Sequence, residues 1–147
     1  MNSASDANPA AKMVGSLGLQ ATATLVFNTF IMPRILMSTP LTDAEYQSQT
    51  HALLSRIEAQ ADRWLQDDVI DIDTQRSGGL LELSFPNGSK LIVNTQPPLQ
   101  EVWLAARGGG FHFRWADGAW RDTRDDSEFI TALSQHASTQ GGKALNF

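Results

Sequence analysis

The sequence predicts a single α+β domain: an α-β sandwich with two helices packed on one face of a roughly six-stranded antiparallel sheet, the opposite face being open. Three observations predict this fold. A helical pattern stands at each end of residues 41–147, several short alternating segments lie between them, and each segment has only one apolar face. A chain of 147 residues is long enough for one hydrophobic core.

Residues 1–40 differ in composition from the rest, being rich in Ala, Ser, Thr and Asn. The apolar run from Leu17 to Met37 contains many polar residues, so it is too polar for a membrane span and lacks the unbroken apolar core of a signal peptide. We expect an N-terminal extension that is either disordered or the result of a start codon placed too early. Residues 41–147 form the predicted domain.

The first helix is predicted to begin after Thr42, because Thr42 and Glu45 have the spacing of a capping box. About five turns of helical periodicity follow. The residues of this periodic stripe, which we expect to be buried, are Tyr46, Thr50, Leu53, Ile57, Ala61 and Trp64.

Three strands are predicted to follow as a meander. Apolar and acidic residues alternate over Ile70–Asp73, which has the period of a half-buried strand. After a turn at Ser77–Gly79, the alternation resumes over Leu81–Phe85, and Pro86–Ser89 is typical of a tight hairpin before Lys90–Asn94.

The second half continues with strands and ends in a helix. Glu101–Ala105 has a strand pattern in which Trp103 faces away from the core if Val102 and Leu104 face it. Alternation over residues 111–115 and a short segment around Trp120 complete the sheet. The last helix is predicted to be capped by Asp125 or Asp126 and ended by the two glycines at 141–142.

Composition excludes several classes of site. The chain has no cysteine, so it has no disulfide, thiolate metal site or cysteine nucleophile. His51, His112 and His136 stand singly without ligand spacing, and no Gly-x-Ser-x-Gly motif is present. The net charge is −5, and residues 41–85 carry nine acidic and three basic residues, which favours a cationic partner or a metal ion over nucleic acid.

An acidic cluster is the strongest functional signal. Carboxylate oxygens bind hard cations such as iron, but carboxylates spread over a convex surface make only weak, multiple sites. The alternative is a solubilising face that guards an edge strand against aggregation. We name as the acidic ridge, and as candidate metal ligands, Glu58, Asp62, Asp67, Asp68, Asp71 and Asp73.

The second signal lies on the predicted open face. Trp103 is accompanied there by Asn94 and Gln96 at the end of the neighbouring strand, with His112 and Arg114 close by. An exposed aromatic residue flanked by amides and Arg is typical of a protein interface. The alternative is a strand register shifted by one residue, which would place Trp103 in the core.

The order of these segments resembles the frataxin family, in particular its bacterial members. The resemblance extends from about residue 41 to the end of the chain. The segments that carry it are Gly78–Phe85, Asn87–Lys90, Ile92–Leu99, Val102–Ala105, Gly109–Phe113 and Asp117–Trp120.

The resemblance implies the same α-β sandwich and a role in iron-sulfur cluster assembly. It implies weak binding of Fe²⁺ and Fe³⁺ on the acidic ridge, and docking on a cysteine desulfurase and an iron-sulfur scaffold protein. It places the sheet-surface contacts at Asn94, Gln96 and Trp103. Ala59 and Arg63 stand where bacterial relatives often have acids, so the ridge is thinner here.

Three functional hypotheses remain open. The first is a non-catalytic, cytoplasmic regulatory adaptor that binds iron and is a monomer, with iron-driven oligomers as the alternative state. The second is a ferroxidase or iron-storage protein, although the chain has none of the Glu-x-x-His pairs of di-iron centres. The third is an interaction domain without a metal role.

Overall fold

The computed structural model describes residues 40–147, so the expectation for the N-terminal extension falls, Pro40 apart, outside the described residues. In this range the α+β sandwich is confirmed. Its helices and strands are α1 (Asp43–Gln66), β1 (Asp73–Ser77), β2 (Leu80–Ser84), β3 (Lys90–Gln96), β4 (Glu101–Ala106), β5 (Gly109–Ala116), β6 (Ala119–Asp122) and α2 (Phe129–Gly141).

The six strands form one antiparallel meander in the order β1 to β6. Strands β1 and β6 are therefore the two edges of the sheet. A short 3-10 turn at Pro97–Leu99 joins β3 to β4, and Gly88, with φ of 82°, forms the turn between β2 and β3. No helix within residues 40–147 is long and apolar enough to cross a membrane.

The core lies between the helices and one face of the sheet. The six predicted stripe residues of α1 are all buried, together with Leu54. The sheet contributes the alternate residues of its central strands, and α2 adds its own buried side. The fully buried sheet residues are Leu81, Leu83, Leu91, Val93, Val102, Leu104 and Phe113.

The start of α1 is the capping box that the sequence predicts. The Glu45 amide donates to the Thr42 hydroxyl at 3.2 Å, and the Thr42 amide donates to the Glu45 carboxylate at 2.8 Å. The Thr42 hydroxyl also donates to the Glu45 carboxylate at 2.8 Å, and the pKa of Glu45 is lowered first by the bond from the Thr42 amide and then by the bond from the hydroxyl. The first turn of the helix is thereby closed.

The first strand begins later than predicted. The alternation over Ile70–Asp73 correctly predicts which side chains are buried, since Ile72 is buried between exposed Asp71 and Asp73. However, β1 starts only at Asp73. The reason is the length of its partner, because Asp73 already pairs with Ser84, the last residue of β2. Asp71 therefore lies in the loop before the strand and not on the strand itself.

The predicted cap of α2 is wrong. The helix begins at Phe129 with Glu128 as its N-cap residue. The Asp125 carboxylate instead accepts from the Ser127 amide at 3.0 Å, and Asp126 adopts a φ of 64°, so both acids belong to the turn that follows β6. The C-terminal prediction is confirmed, since Gly142 caps the helix with φ of 68°.

Gln140 connects the end of α2 to the sheet. Its side-chain amide donates to the carbonyl of Lys90 at 3.0 Å and accepts from the amide of Arg107 at 3.0 Å. The side chain is buried, so these bonds satisfy groups that water does not reach. They hold α2 against both β3 and the turn between β4 and β5.

Candidate functional site

The acidic ridge occupies one continuous stretch of the chain: the last turns of α1, the loop that follows and the first residue of β1. Five of its six carboxylate residues are exposed, and only Glu58 is largely buried, with 28% of its side chain exposed. Asp67 is the C-cap residue of α1, and Asp68 has a φ of 52°. The chain therefore turns at Asp68, at the start of the loop that leads to the edge strand β1. The structure thus presents the five aspartates of the ridge at the protein surface.

Glu58 differs from the rest of the ridge because it has a cationic partner. Arg76 on β1 donates from Nη1 to the Glu58 carboxylate at 3.0 Å. The same guanidinium contacts the Ser55 hydroxyl at 3.2 Å and Nδ1 of His51 at 3.0 Å. Arg76 therefore clamps the edge strand onto α1 and neutralises one ridge carboxylate.

The ridge offers iron the right type of donor but no enclosed cage. Its ligands would be carboxylate oxygens, which suit hard cations. In residues 40–147, no group of three or more His, Asp or Glu side chains is close enough to hold one metal ion. The donor chemistry thus fits loosely held cations and does not define a tight site.

The open face carries a cross-strand row of side chains. Leu80 pairs with Asn94, Asn94 with Trp103 and Trp103 with His112, so the four residues follow one another across β2 to β5. Val102 and Leu104 are buried, which places Trp103 on the side away from the helices. The indole ring stacks on the His112 imidazole with centroids 4.3 Å apart and planes 5° apart.

Gln96 belongs to the next row of the same face. It pairs with Glu101, and Glu101 pairs with Arg114. The structure thus brings the three predicted contact residues together on adjoining positions of β3 and β4. A shallow cavity of about 200 Å³ adjoins Trp103 and is lined mainly by apolar groups, including Leu80 and Ile92.

Glu101 is a site residue that the sequence analysis missed. Only 5% of its side chain is exposed although it lies on the open face. One carboxylate oxygen accepts from Nε1 of Trp103 at 2.8 Å, and the other accepts from Nε of Arg114 at 2.8 Å. Nδ1 of His112 lies 3.8 Å away. The available signal was its spacing of two residues from Trp103, which puts both on one face of β4.

The pKa of Glu101 reflects these neighbours. Burial by itself raises the pKa, but the hydrogen bonds from Trp103 and Arg114 and the positive charge of Arg114 outweigh it. The net effect is a lowered pKa, so the carboxylate stays ionised at neutral pH. An ionised, nearly buried acid thus lies beside the stacked pair of half-buried Trp103 and exposed His112.

Comparison with known proteins supports one family. The family model described as a frataxin-like domain matches residues 39–143. A protein of Paraburkholderia phymatum, "Iron-sulfur cluster assembly protein CyaY", is 50% identical over 105 residues, which cover 71% of this chain and 96% of that protein. The protein of the same name from Paraburkholderia xenovorans is 50% identical over 107 residues, covering 73% and 98%.

Solved structures agree with the fold. Frataxin from Psychromonas ingrahamii is 32% identical with a TM-score of 0.59, over 72% of this chain and 97% of that one. Yeast frataxin, at 22% identity and a TM-score of 0.57, covers 74% and 89% and supports the fold alone. The frataxin-like match spans most of the described residues, and the curated relatives match over nearly their whole length. This chain therefore belongs to the frataxin family.

Proposed function

We propose that the protein is an iron-binding regulatory adaptor of iron-sulfur cluster assembly, and not an enzyme, with a cysteine desulfurase and an iron-sulfur scaffold protein as its partners. The relatives at about 50% identity are named as assembly proteins of this pathway. The observation that carries the proposal is the separation of two surfaces on one small fold, the acidic ridge and the Asn94–Trp103–His112 row. A ferroxidase or iron-storage role stays a sequence-based alternative.

The acidic ridge suits the desulfurase contact and the iron. Asp62, Asp67, Asp68, Asp71 and Asp73 are exposed within a short stretch of chain, so their fields add outside the protein. Such a field attracts a basic protein surface and raises the local concentration of Fe²⁺ or Fe³⁺. Since the ridge does not enclose a cation, iron binds weakly and exchanges with partner contacts.

The open face suits the scaffold contact. Trp103 is half-buried in its own protein, so further burial by a partner costs little side-chain entropy. Aromatic residues next to amides and Arg are the anchors of many interfaces, and Asn94, Gln96 and Arg114 supply those polar groups here. The two surfaces allow both partners to bind one adaptor.

An NMR titration of the full chain tests the proposal. Backbone amide shifts are followed separately with Fe²⁺ under anaerobic conditions, with the purified desulfurase and with the purified scaffold. We expect iron and the desulfurase to shift residues 58–73, and the scaffold to shift Asn94, Trp103 and His112. Absence of shifts with both proteins at saturating concentration would refute the adaptor role.

A further inference from the structure

The indole N–H of Trp103 is already engaged within its own protein. It donates at 2.8 Å to Glu101, whose side chain is only 5% exposed. One face of the same ring stacks on His112. A Trp side chain at an interface ordinarily offers both an apolar ring and a hydrogen-bond donor. In this protein the indole N–H already has an acceptor, so only the ring carbons are available to a partner.

Glu101 itself is held from two sides. Arg114 donates to its second oxygen at 2.8 Å, so both oxygens have partners and the buried charge is balanced. Moving the carboxylate away from Trp103 would therefore also break the pair with Arg114. The orientation of the indole is coupled in this way to a charge pair on the neighbouring strand.

We infer that Glu101 is a positioning residue of the open face: it engages the indole N–H, so that Trp103 meets a partner only through the carbon atoms of its ring. The matching group on the partner is an apolar side chain and not a hydrogen-bond acceptor. This inference rests on the proposed docking of the scaffold protein. Glu101 would thus determine which partner group Trp103 can contact, although its own side chain is nearly buried.

Two substitutions separate the hydrogen bond from the charge. Glu101→Gln keeps an oxygen that accepts from the indole but removes the negative charge, whereas Glu101→Leu removes both. Glu82→Gln serves as the charge control, because Glu82 lies on the same face but pairs with Lys90. Trp103→Phe keeps an apolar ring and removes the donor.

The first readout needs no partner. In the free protein, the ¹⁵N–¹H resonance of the Trp103 indole reports its hydrogen bond directly. We expect Glu101→Leu to shift this resonance and to speed its exchange with solvent, while Glu101→Gln and Glu82→Gln leave it close to wild type. An unchanged indole resonance in Glu101→Leu would overturn the link between the two residues.

The second readout is the affinity for the purified scaffold. Loss of one positioning hydrogen bond is expected to weaken binding about five- to tenfold in Glu101→Leu, with most of the affinity restored in Glu101→Gln. In the Trp103→Phe background, Glu101→Leu should have a clearly smaller effect, because the donor that it orients is gone and only the loss of the pair with Arg114 remains. Equal losses in both backgrounds would overturn the inference. Failure of the wild-type chain to bind would instead refute the proposed function, and the indole resonance would still decide the link.

Discussion

Arg76 on the edge strand holds Glu58 on α1 at 3.0 Å, and this pair divides the acidic ridge into one neutralised carboxylate and five exposed ones. Both side chains are about three quarters buried. A partly buried pair of this kind contributes about 0.5–1 kcal/mol to the free energy of unfolding. Glu58 is therefore already paired within the fold, unlike the five exposed acids of the ridge.

Removing the charge of Arg76 should raise the affinity for iron more than removing the charge of another arginine near the ridge. Arg76→Gln frees the Glu58 carboxylate, so we expect tighter Fe²⁺ binding by anaerobic calorimetry. Arg63→Gln is the matched control, because it removes the same charge from an exposed position in the last turn of α1. Equal affinity gains in both variants would mean that only net charge matters.

The desulfurase contact should depend on salt. Asp71→Lys combined with Asp73→Lys is expected to weaken binding much more at low ionic strength, since the Debye length falls from about 30 Å at 0.01 M to about 8 Å at 0.15 M. Asp68 is left unchanged because its φ of 52° would strain a lysine.

A double reversal outside the ridge provides the control for that experiment. Asp43→Lys with Glu128→Lys changes the net charge equally, but Asp43 is the first residue of α1 and Glu128 is the N-cap residue of α2, so both lie outside the ridge. We expect little change in desulfurase affinity at either salt concentration. If the ridge variant lost desulfurase affinity by the same factor at both salt concentrations, electrostatic steering would be contradicted.

Trp103→Ala should weaken scaffold binding by about 2 kcal/mol, roughly thirtyfold, because aromatic anchors of interfaces typically carry that much. The control is Leu99→Ala, which removes an apolar side chain, 52% exposed, from the 3-10 turn. Surface plasmon resonance measures both affinities. A loss below about threefold for Trp103→Ala would remove this residue from the interface.

Local patterns predicted most of the fold. The capping box at Thr42, the stripe of α1 and the turn at Gly88 depend on neighbours a few residues away, so the sequence contains the whole signal. The outward position of Trp103 also follows from local alternation, because Val102 and Leu104 alternate with it. The start of β1 was missed because it depends on where β2 ends.

The site was less predictable because its key contacts are distant in the chain. Arg76 and Glu58 are 18 residues apart, and Arg114 and Glu101 are 13 apart. Spacing alone does not show that an acid meets an arginine from another strand or helix. The sequence therefore predicted the acids of the ridge without the neutralisation of Glu58, and Trp103 without its hydrogen-bond acceptor.

Gln140→Leu should lower the free energy of unfolding by about 2–4 kcal/mol, because the Lys90 carbonyl and the Arg107 amide would both lose their buried partner. Gln135→Leu makes the same substitution at an exposed position of α2 and should change stability little. Urea unfolding followed by tryptophan fluorescence measures both variants. Similar midpoints would show that water replaces the lost bonds.

The stability contributed by Glu101 should depend on pH. Its pKa is lowered in the folded state from the ordinary value of 4.5, because the bonds from Trp103 and Arg114 together outweigh the effect of burial. A lowered pKa means that the unfolded chain takes up a proton first as the pH falls. The stabilisation is therefore fully present above pH 4.5 and is lost as the pH falls through the folded-state pKa.

Chemical unfolding at several pH values should show a wild-type advantage over Glu101→Gln that is constant near neutrality and shrinks below pH 4.5. Glu45 also has a lowered pKa, through its bonds to Thr42, so Glu45→Gln is measured in parallel to separate the two contributions. A difference between wild type and Glu101→Gln that stays the same down to strongly acidic pH would mean that the ionised carboxylate does not stabilise the open face.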